Sequence, residues 1–249
     1  MSLLRTAVLS CLLLAGAGVS PAWAAGEEQQ IRDKLIQVVP ATKIVAVRPS
    51  AMPGLFEVEL NNGVVYASPD GQFILQGDLI QIKGKQVVNL TEQVQAAKRV
   101  TLLKQVDRRD EIIFPAQGKA RGVLTVFTDI NCGYCRKFHQ EVPALNQAGI
   151  EVRYLAYPRD MARTGPHGGT AAEMSAIWCG ANREQLLTQA KQGQEIAAPR
   201  KDCKSPVAEQ YALGQRLGVT GTPTVFNDKG EQLGGYLTAQ QAIQRLGLR

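Results

Sequence analysis

Cys132-Gly133-Tyr134-Cys135 stands between a continuous apolar run, Val123 to Thr128, and a stretch of helical character from Cys132 to about Gln147 that Pro143 is expected to break. That junction constrains the fold more than any other feature of the chain. An unbroken apolar run suits a strand buried on both faces. A strand that hands over to a helix there puts the first sulfur at the helix N-terminus, where unpaired N–H groups and the macrodipole favour a thiolate. The thiolate is the attacking species in disulfide exchange, and in CxxC motifs its pKa falls to between about 3.5 and 7.5. Cys135, one turn on, faces inward but still reaches Cys132, so one sulfur attacks and the other resolves. Zinc is the competing use of CxxC and needs three or four ligands. The rest of the chain offers only His139, His167 and one widely spaced cysteine pair, which complete no site. A purely structural bridge across two residues closes too small a loop to stabilise much.

Compartment follows from the N-terminus. Residues 1–24 read as a secretory signal peptide: Met1 and Arg5, an apolar run from Thr6 to Val19, then Ala22-Trp23-Ala24 as the cleavage site. The run is too short to span a bilayer, and no later stretch approaches the ~20 apolar residues that spanning requires. The mature protein is therefore expected to be exported and not inserted in a membrane. Cys11 lies at the start of the apolar run, the wrong place for a lipid anchor, and leaves with the signal. Of the five cysteines, Cys132, Cys135, Cys179 and Cys203 remain. An even number in an exported chain points to disulfide chemistry, with three connectivities open. Losing Arg5 takes the net charge from +6 to +5. The basic residues, among them Lys98, Arg99, Arg108, Arg109, Arg200, Lys201 and Lys204, are interleaved with acids and lack the aromatics of a nucleic-acid groove, so they read as solvated surface.

The pattern divides the mature chain. Residues 26–39 carry Ile31, Leu35, Ile36, Val38 and Val39 at near-helical spacing and end at Pro40. Residues 43–90 are short β-rich runs between turns, roughly five antiparallel strands; Asn62-Gly63 is the hairpin cue, since both central residues of a type I′ turn take positive φ. A unit of some 65 residues buries little apolar surface, and its edge strands invite a second copy. Thr91 to Asp107 predicts a polar linker helix started by Thr91 and Glu92. From Ile112 onward the order is strand, CxxC helix, strand at Ile150 to Ala156, interrupted helices over 168–217, strands at Thr224 to Phe226 and Gln232 to Gly235, and a helix from Thr238 to Leu246, an α/β pattern. Pro223, after a turn and before a strand, is a candidate cis proline.

Strand, CxxC, helix and a later Thr222-Pro223 before a strand resemble the thioredoxin fold. Phe127-Thr128-Asp129-Ile130-Asn131-Cys132-Gly133-Tyr134-Cys135-Arg136-Lys137-Phe138-His139, with Gly221-Thr222-Pro223-Thr224, resembles the DsbC/DsbG group of periplasmic thiol:disulfide interchange proteins within the thioredoxin-like superfamily. The resemblance covers essentially the mature chain. It implies an α+β N-terminal dimerisation domain over 25–90, a linker helix over 91–110, and an α/β thioredoxin-fold catalytic domain over 111–249 with a helical insertion at about 160–217. It also implies catalysis by Cys132 and Cys135, which form the redox-active disulfide, and substrate binding by Thr222 and Pro223. The expected protein is a homodimer that acts on misfolded disulfide-containing exported proteins, holds them in an uncharged cleft, and is kept reduced by the membrane reductant DsbD; Asn62 to Ala67 is expected as an edge strand of the dimer interface. No cofactor or metal is implied.

Gly133-Tyr134 matches the isomerases of the group better than the Pro-Tyr of DsbG-type members, which would be oxidants or reductases of cysteine oxidation products. A non-catalytic chaperone is the reading from another class. Thioredoxin carries a buried acid six residues before its first CxxC cysteine, and here that position is Val126, which leaves the proton acceptor for Cys135 open between Glu111, Asp129 and neither; Asp129 alternatively caps the loop. Pairing Cys179 with Cys203 leaves the CxxC free to cycle, and the expected structural disulfide stabilises by about 3 kcal/mol; a second redox-active pair is the alternative. His139, four residues after Cys135, is either a modulator of the thiols or a surface histidine. His167 falls in a turn, and Trp178 is expected to pack against the disulfide.

Overall fold

The computed structural model describes residues 22–197 and 202–248, so the signal segment up to residue 21, with Cys11, and the basic pair Arg200 and Lys201 lie outside it. The described residues begin with helix α1 (Ala22–Val38), which runs across the expected cleavage position and buries Ile31 and Leu35 against Val47, Phe56, Val58 and Ala67 of an antiparallel sheet. That sheet is β1 (Ile44–Pro49), β2 (Phe56–Leu60), β3 (Gly63–Ala67) and β4 (Ile74–Leu75), in that order. A separate hairpin, β5 (Ile80–Lys83) and β6 (Gln86–Asn89), leads into helix α2 (Leu90–Leu103). Six strands in two sheets thus stand where five were expected.

Two expectations about β3 are corrected. The hairpin turns at Asn61 and Asn62, Gly63 is already paired with Leu60, and no described non-glycine residue has positive φ, so this is not the type I′ turn that Asn62-Gly63 predicts. Nor is β3 an edge along its length. The chain reverses at Pro69-Asp70-Gly71 and returns Ile74 and Leu75 to pair with Ala67 and Tyr66, leaving only Gly63 to Val65 open on that side.

Helix α2 is more than a spacer. Asn89, not Thr91, caps it by accepting from the Glu92 N–H at 2.8 Å, while the buried Thr91 hydroxyl accepts from Leu79 N–H at 2.8 Å and bonds Tyr66. Arg99, counted from the sequence with the solvated basic residues, is 4% exposed. It donates to Glu92 and Gln95, both at 2.7 Å, reaches the Gly230 carbonyl at 3.2 Å and lies over the Phe226 ring. A thin apolar stripe understated this helix because its burial is carried by an arginine stem and a cation–π contact.

After a short turn at Arg108–Asp110 come β7 (Ile112–Phe114), β8 (Gly122–Thr128), α3 (Gly133–Gln147), β9 (Ile150–Ala156), α4 (Met161–Thr164), α5 (Gly169–Trp178), α6 (Arg183–Lys191), α7 (Val207–Arg216), β10 (Thr224–Asn227), β11 (Gln232–Gly234) and α8 (Ala239–Arg245). The strands form one sheet in the order β11-β10-β8-β9-β7, with β8 and β9 parallel and the other pairs antiparallel. β8 is central and buried from Leu124 to Thr128, as its apolar run requires. Pro143 does not break α3. It removes one backbone donor, but Phe138 and Val142 before it and Leu145 after it are all buried in the same core, which holds the helix continuous.

Gly230 is where α2 meets this sheet: its φ is +76°, and a Cβ there would lie 2.3 Å from the Ala96 carbonyl oxygen. Gly230→Ala is expected to lower stability by about 1–3 kcal/mol, read as a shift of the denaturant midpoint. An unchanged midpoint would show that α2 is not docked in solution.

Candidate active site

The loop after β8 is held by one carboxylate. Asp129, 2% exposed, accepts from the Asn131 N–H at 2.7 Å, the Arg159 N–H at 3.0 Å and Arg159 Nε at 2.9 Å. Arg136 Nε closes the loop onto the Ile130 carbonyl at 3.0 Å. Of the alternatives open for Asp129, the capping role is the one the geometry displays. Glu111 is engaged elsewhere: its carboxylate lies 3.9 Å from Arg153, and burial holds its pKa above the usual range.

Cys132 is the N-cap residue of α3 and Cys135 sits in its first turn, and neither sulfur is bonded to another. Cys132 is 3% exposed and Cys135 1%, so both sulfurs are covered. The cover of Cys132 is the Thr222-Pro223 loop. Cys132 Sγ donates to the Thr222 carbonyl at 3.1 Å, across 90 positions of sequence, and the Thr222-Pro223 peptide is cis. Tyr134, between the cysteines, is 62% exposed, with its ring against Tyr236 and under Lys137 Nζ.

The two thiols are driven apart electrostatically. Burial pushes the Cys132 pKa up, but hydrogen bonds from the Thr222 side chain and from the backbone and thiol of Cys135, with the Arg159 charge, bring it below the ordinary thiol value. The Thr222 hydroxyl is buried without another partner and is the donor on hand for a thiolate. At Cys135 burial wins: Lys191, the Asp129 backbone and the Thr128 and Thr222 side chains offset it only in part, and the pKa is raised. The environment thus favours the thiolate at the first sulfur and the thiol at the second.

His139 is neither a contact of the thiols nor a surface residue. Its Nδ1 bonds the Tyr154 hydroxyl and its Nε2 the Thr188 hydroxyl, both at 3.0 Å, tying α3 to β9 and α6. Burial, then the charge of Lys191, lowers its pKa to about 4. Lys191 itself went unnoticed in the sequence. It is 5% exposed, and its signal was its position one turn after Leu187 on the buried face of α6. Cys179 and Cys203 are disulfide-bonded with Cα atoms 5.9 Å apart, joining the end of α5 to the segment before α7. Trp178 is buried in the core, its Nε1 donating to the Asp110 carbonyl at 2.9 Å, and His167 lies exposed in the turn between α4 and α5.

Comparison with known proteins matches both halves of the molecule. Residues 109–248 fit the model of a thioredoxin-like domain and residues 22–92 that of the disulfide bond isomerase protein N-terminal domain. The thiol:disulfide interchange protein DsbC of Dickeya dadantii (strain 3937) is 35% identical over 97% of this chain and 94% of its own length. The chain belongs to the DsbC family. DsbC of Escherichia coli (strain K12) is 36% identical over 76% of this chain and 75% of its own. Among solved structures, a disulfide interchange protein from Neisseria gonorrhoeae aligns with 58% of this chain and all of its own at 21% identity and a TM-score of 0.47. The DsbC family accounts for the α+β domain joined to a thioredoxin-like domain, as the resemblance implied. No helix of the described residues is long and apolar enough to cross a membrane.

His139 gives this member of the DsbC family a pH dependence of stability. A histidine with a folded pKa near 4 takes up its proton more readily in the unfolded chain, whose ordinary value is 6.5. Stability is therefore full above about pH 6.5 and falls as pH drops toward 4, by on the order of 2 kcal/mol by pH 5. His139→Gln is expected to flatten that segment of a plot of unfolding free energy against pH. An unchanged slope would place the titration elsewhere.

Proposed function

We propose that this chain is a periplasmic, homodimeric protein disulfide isomerase in which Cys132 and Cys135 are the catalytic, redox-active pair. The observation that carries the reading is the asymmetry of the two sulfurs at one helix N-terminus, a lowered thiol beneath Thr222 and a raised thiol behind it. The Cys132 thiolate attacks a non-native disulfide and forms a mixed disulfide with one substrate sulfur. Either another substrate thiol attacks that sulfur, completing isomerisation, or Cys135 attacks Cys132 and releases the substrate reduced. Thr222 and Pro223 bind the substrate backbone beside Cys132, and exposed Tyr134 supplies an apolar face next to it. Cys179–Cys203 serves as a structural brace of the helical insertion.

The cycle ends with Cys132–Cys135 oxidised whenever Cys135 intervenes, so an electron source is required; membrane DsbD fills that role in this reading. Export follows from cleavage near Ala24. Two features of the N-terminal domain support the dimer: the open side of Gly63 to Val65, and the solvent-facing Phe73, Ile74, Leu75, Ile80, Ile82 and Val87. Apolar side chains left to solvent in one small unit are more than a monomer ordinarily displays, and the same surface supports a holding activity toward unfolded chains. The domain division at about residues 91 and 111 accompanies this reading, with α2 docked on the catalytic domain.

The test is reactivation of scrambled ribonuclease in a glutathione buffer. The wild type is expected to restore activity and Cys132→Ser to give only the uncatalysed rate, while both suppress aggregation of a reduced substrate. Equal reactivation by the two proteins would overturn the assignment.

A further inference from the structure

A lysine ammonium at 5% exposure is costly unless an anion answers it. Lys191 Nζ donates to the Thr128 hydroxyl at 2.7 Å, approaches the Asp129 carbonyl at 3.4 Å and lies 5.7 Å from the centre of the Tyr154 ring. All three are neutral groups. Among the described residues it forms no ion pair with a carboxylate, and the nearby Asp129 carboxylate is occupied by Arg159. What lies close by is a thiol, Cys135, and the Thr128 hydroxyl that takes the lysine's hydrogen bond also bonds its sulfur. Because the Thr128 oxygen accepts from Lys191, its own proton is free to point at the Cys135 sulfur.

We infer that Lys191, acting directly by charge and through Thr128, is the counter-ion of the Cys135 thiolate and sets the pH at which the resolving step runs. It is a positioning residue, since it acts on the reacting sulfur across Thr128. The inference rests on the interchange reading above; Lys191 puts a charged group behind the second cysteine, where Val126 puts none, as a counter-ion and not as the proton acceptor. The other charges facing Cys135 are already committed. From the loops, Asp129 and Arg159 hold each other. On its own helix, Arg136 is bound to the Ile130 carbonyl and His139 is neutral at pH 7. From β9, the Tyr154 phenol is held well above its ordinary pKa by burial and stays uncharged. Lys191 is lowered to about 8 by burial, yet remains mostly a cation at pH 7.

In the step itself Cys135 gives up its proton to solvent, the protonated Lys191 stabilising the thiolate left behind, and its sulfur attacks Cys132 Sγ. The Cys132–substrate bond breaks as the Cys132–Cys135 bond forms, and the substrate leaves as a thiolate that regains a proton from solvent. The two protein thiols are oxidised and the substrate disulfide is reduced, with no further reagent.

Stopped-flow reaction of the reduced protein with Ellman's reagent separates the two sulfurs, because attack by Cys132 and resolution by Cys135 each release one nitrothiobenzoate. In Lys191→Met the second phase is expected to slow about tenfold at pH 7 and its pH midpoint to rise by about one unit, while the first phase changes by less than about twofold. Thr128→Val keeps the lysine, removes the bridging hydroxyl, and is expected to slow the same phase. A second phase whose midpoint is unmoved in both folded variants overturns the inference; if Lys191→Met does not fold, Thr128→Val decides alone. The readout is independent of isomerase action: failure to reactivate ribonuclease with the midpoint still shifted removes the function and keeps the counter-ion, and the reverse pattern does the opposite.

Discussion

The site hangs on a single buried carboxylate. Asp129 fixes the hand-over from β8 to α3 by taking two backbone N–H groups and the Arg159 guanidinium. Cys132 thereby becomes the N-cap of the helix and Cys135 turns into the core one turn later. The same engagement brings Arg159 close enough to favour the Cys132 thiolate. It also uses up the acid that would otherwise answer Lys191, so the loop that positions the first sulfur determines which charge the second one meets.

Much of this was legible in the chain, for identifiable reasons. An apolar run ending at Thr128, a CxxC and a later Thr-Pro are local patterns, and local patterns dictate local geometry: strand, helix start and turn sit where they were read. The misses have a common physical origin in tertiary contact. Pro143 disrupts an isolated helix, but core packing on both sides of it outweighs one lost hydrogen bond. Asn62-Gly63 favours a type I′ turn, yet β2 and β3 pair with Gly63 already in the strand. Arg99 and Lys191 look like surface residues because charge usually is; each is buried by a partner more than 60 positions away, which no window of sequence contains.

Arg99 and Lys191 also show why burial of charge takes two forms here. Arg99 is answered by the Glu92 carboxylate, the Gln95 amide and an aromatic face, so its cost is offset and its effect is to dock α2. Lys191 touches only neutral dipoles and a ring face, and the Asp129 charge acts on it at longer range while paired to Arg159, so its demand for an anion next to a thiol is only partly met. A fully compensated charge serves structure, and an under-compensated one serves chemistry.

The cover over the first sulfur fits the same logic. Cys132 is only 3% exposed and its thiol is bonded to the Thr222 carbonyl, so the cis-proline loop fills the space beside the sulfur. A thiolate cannot donate to that carbonyl, so deprotonation removes this bond, while the buried Thr222 hydroxyl, which has no other partner, is a donor that favours the thiolate. Protonation of a single sulfur therefore decides which of the two Thr222 groups, carbonyl or hydroxyl, Cys132 engages.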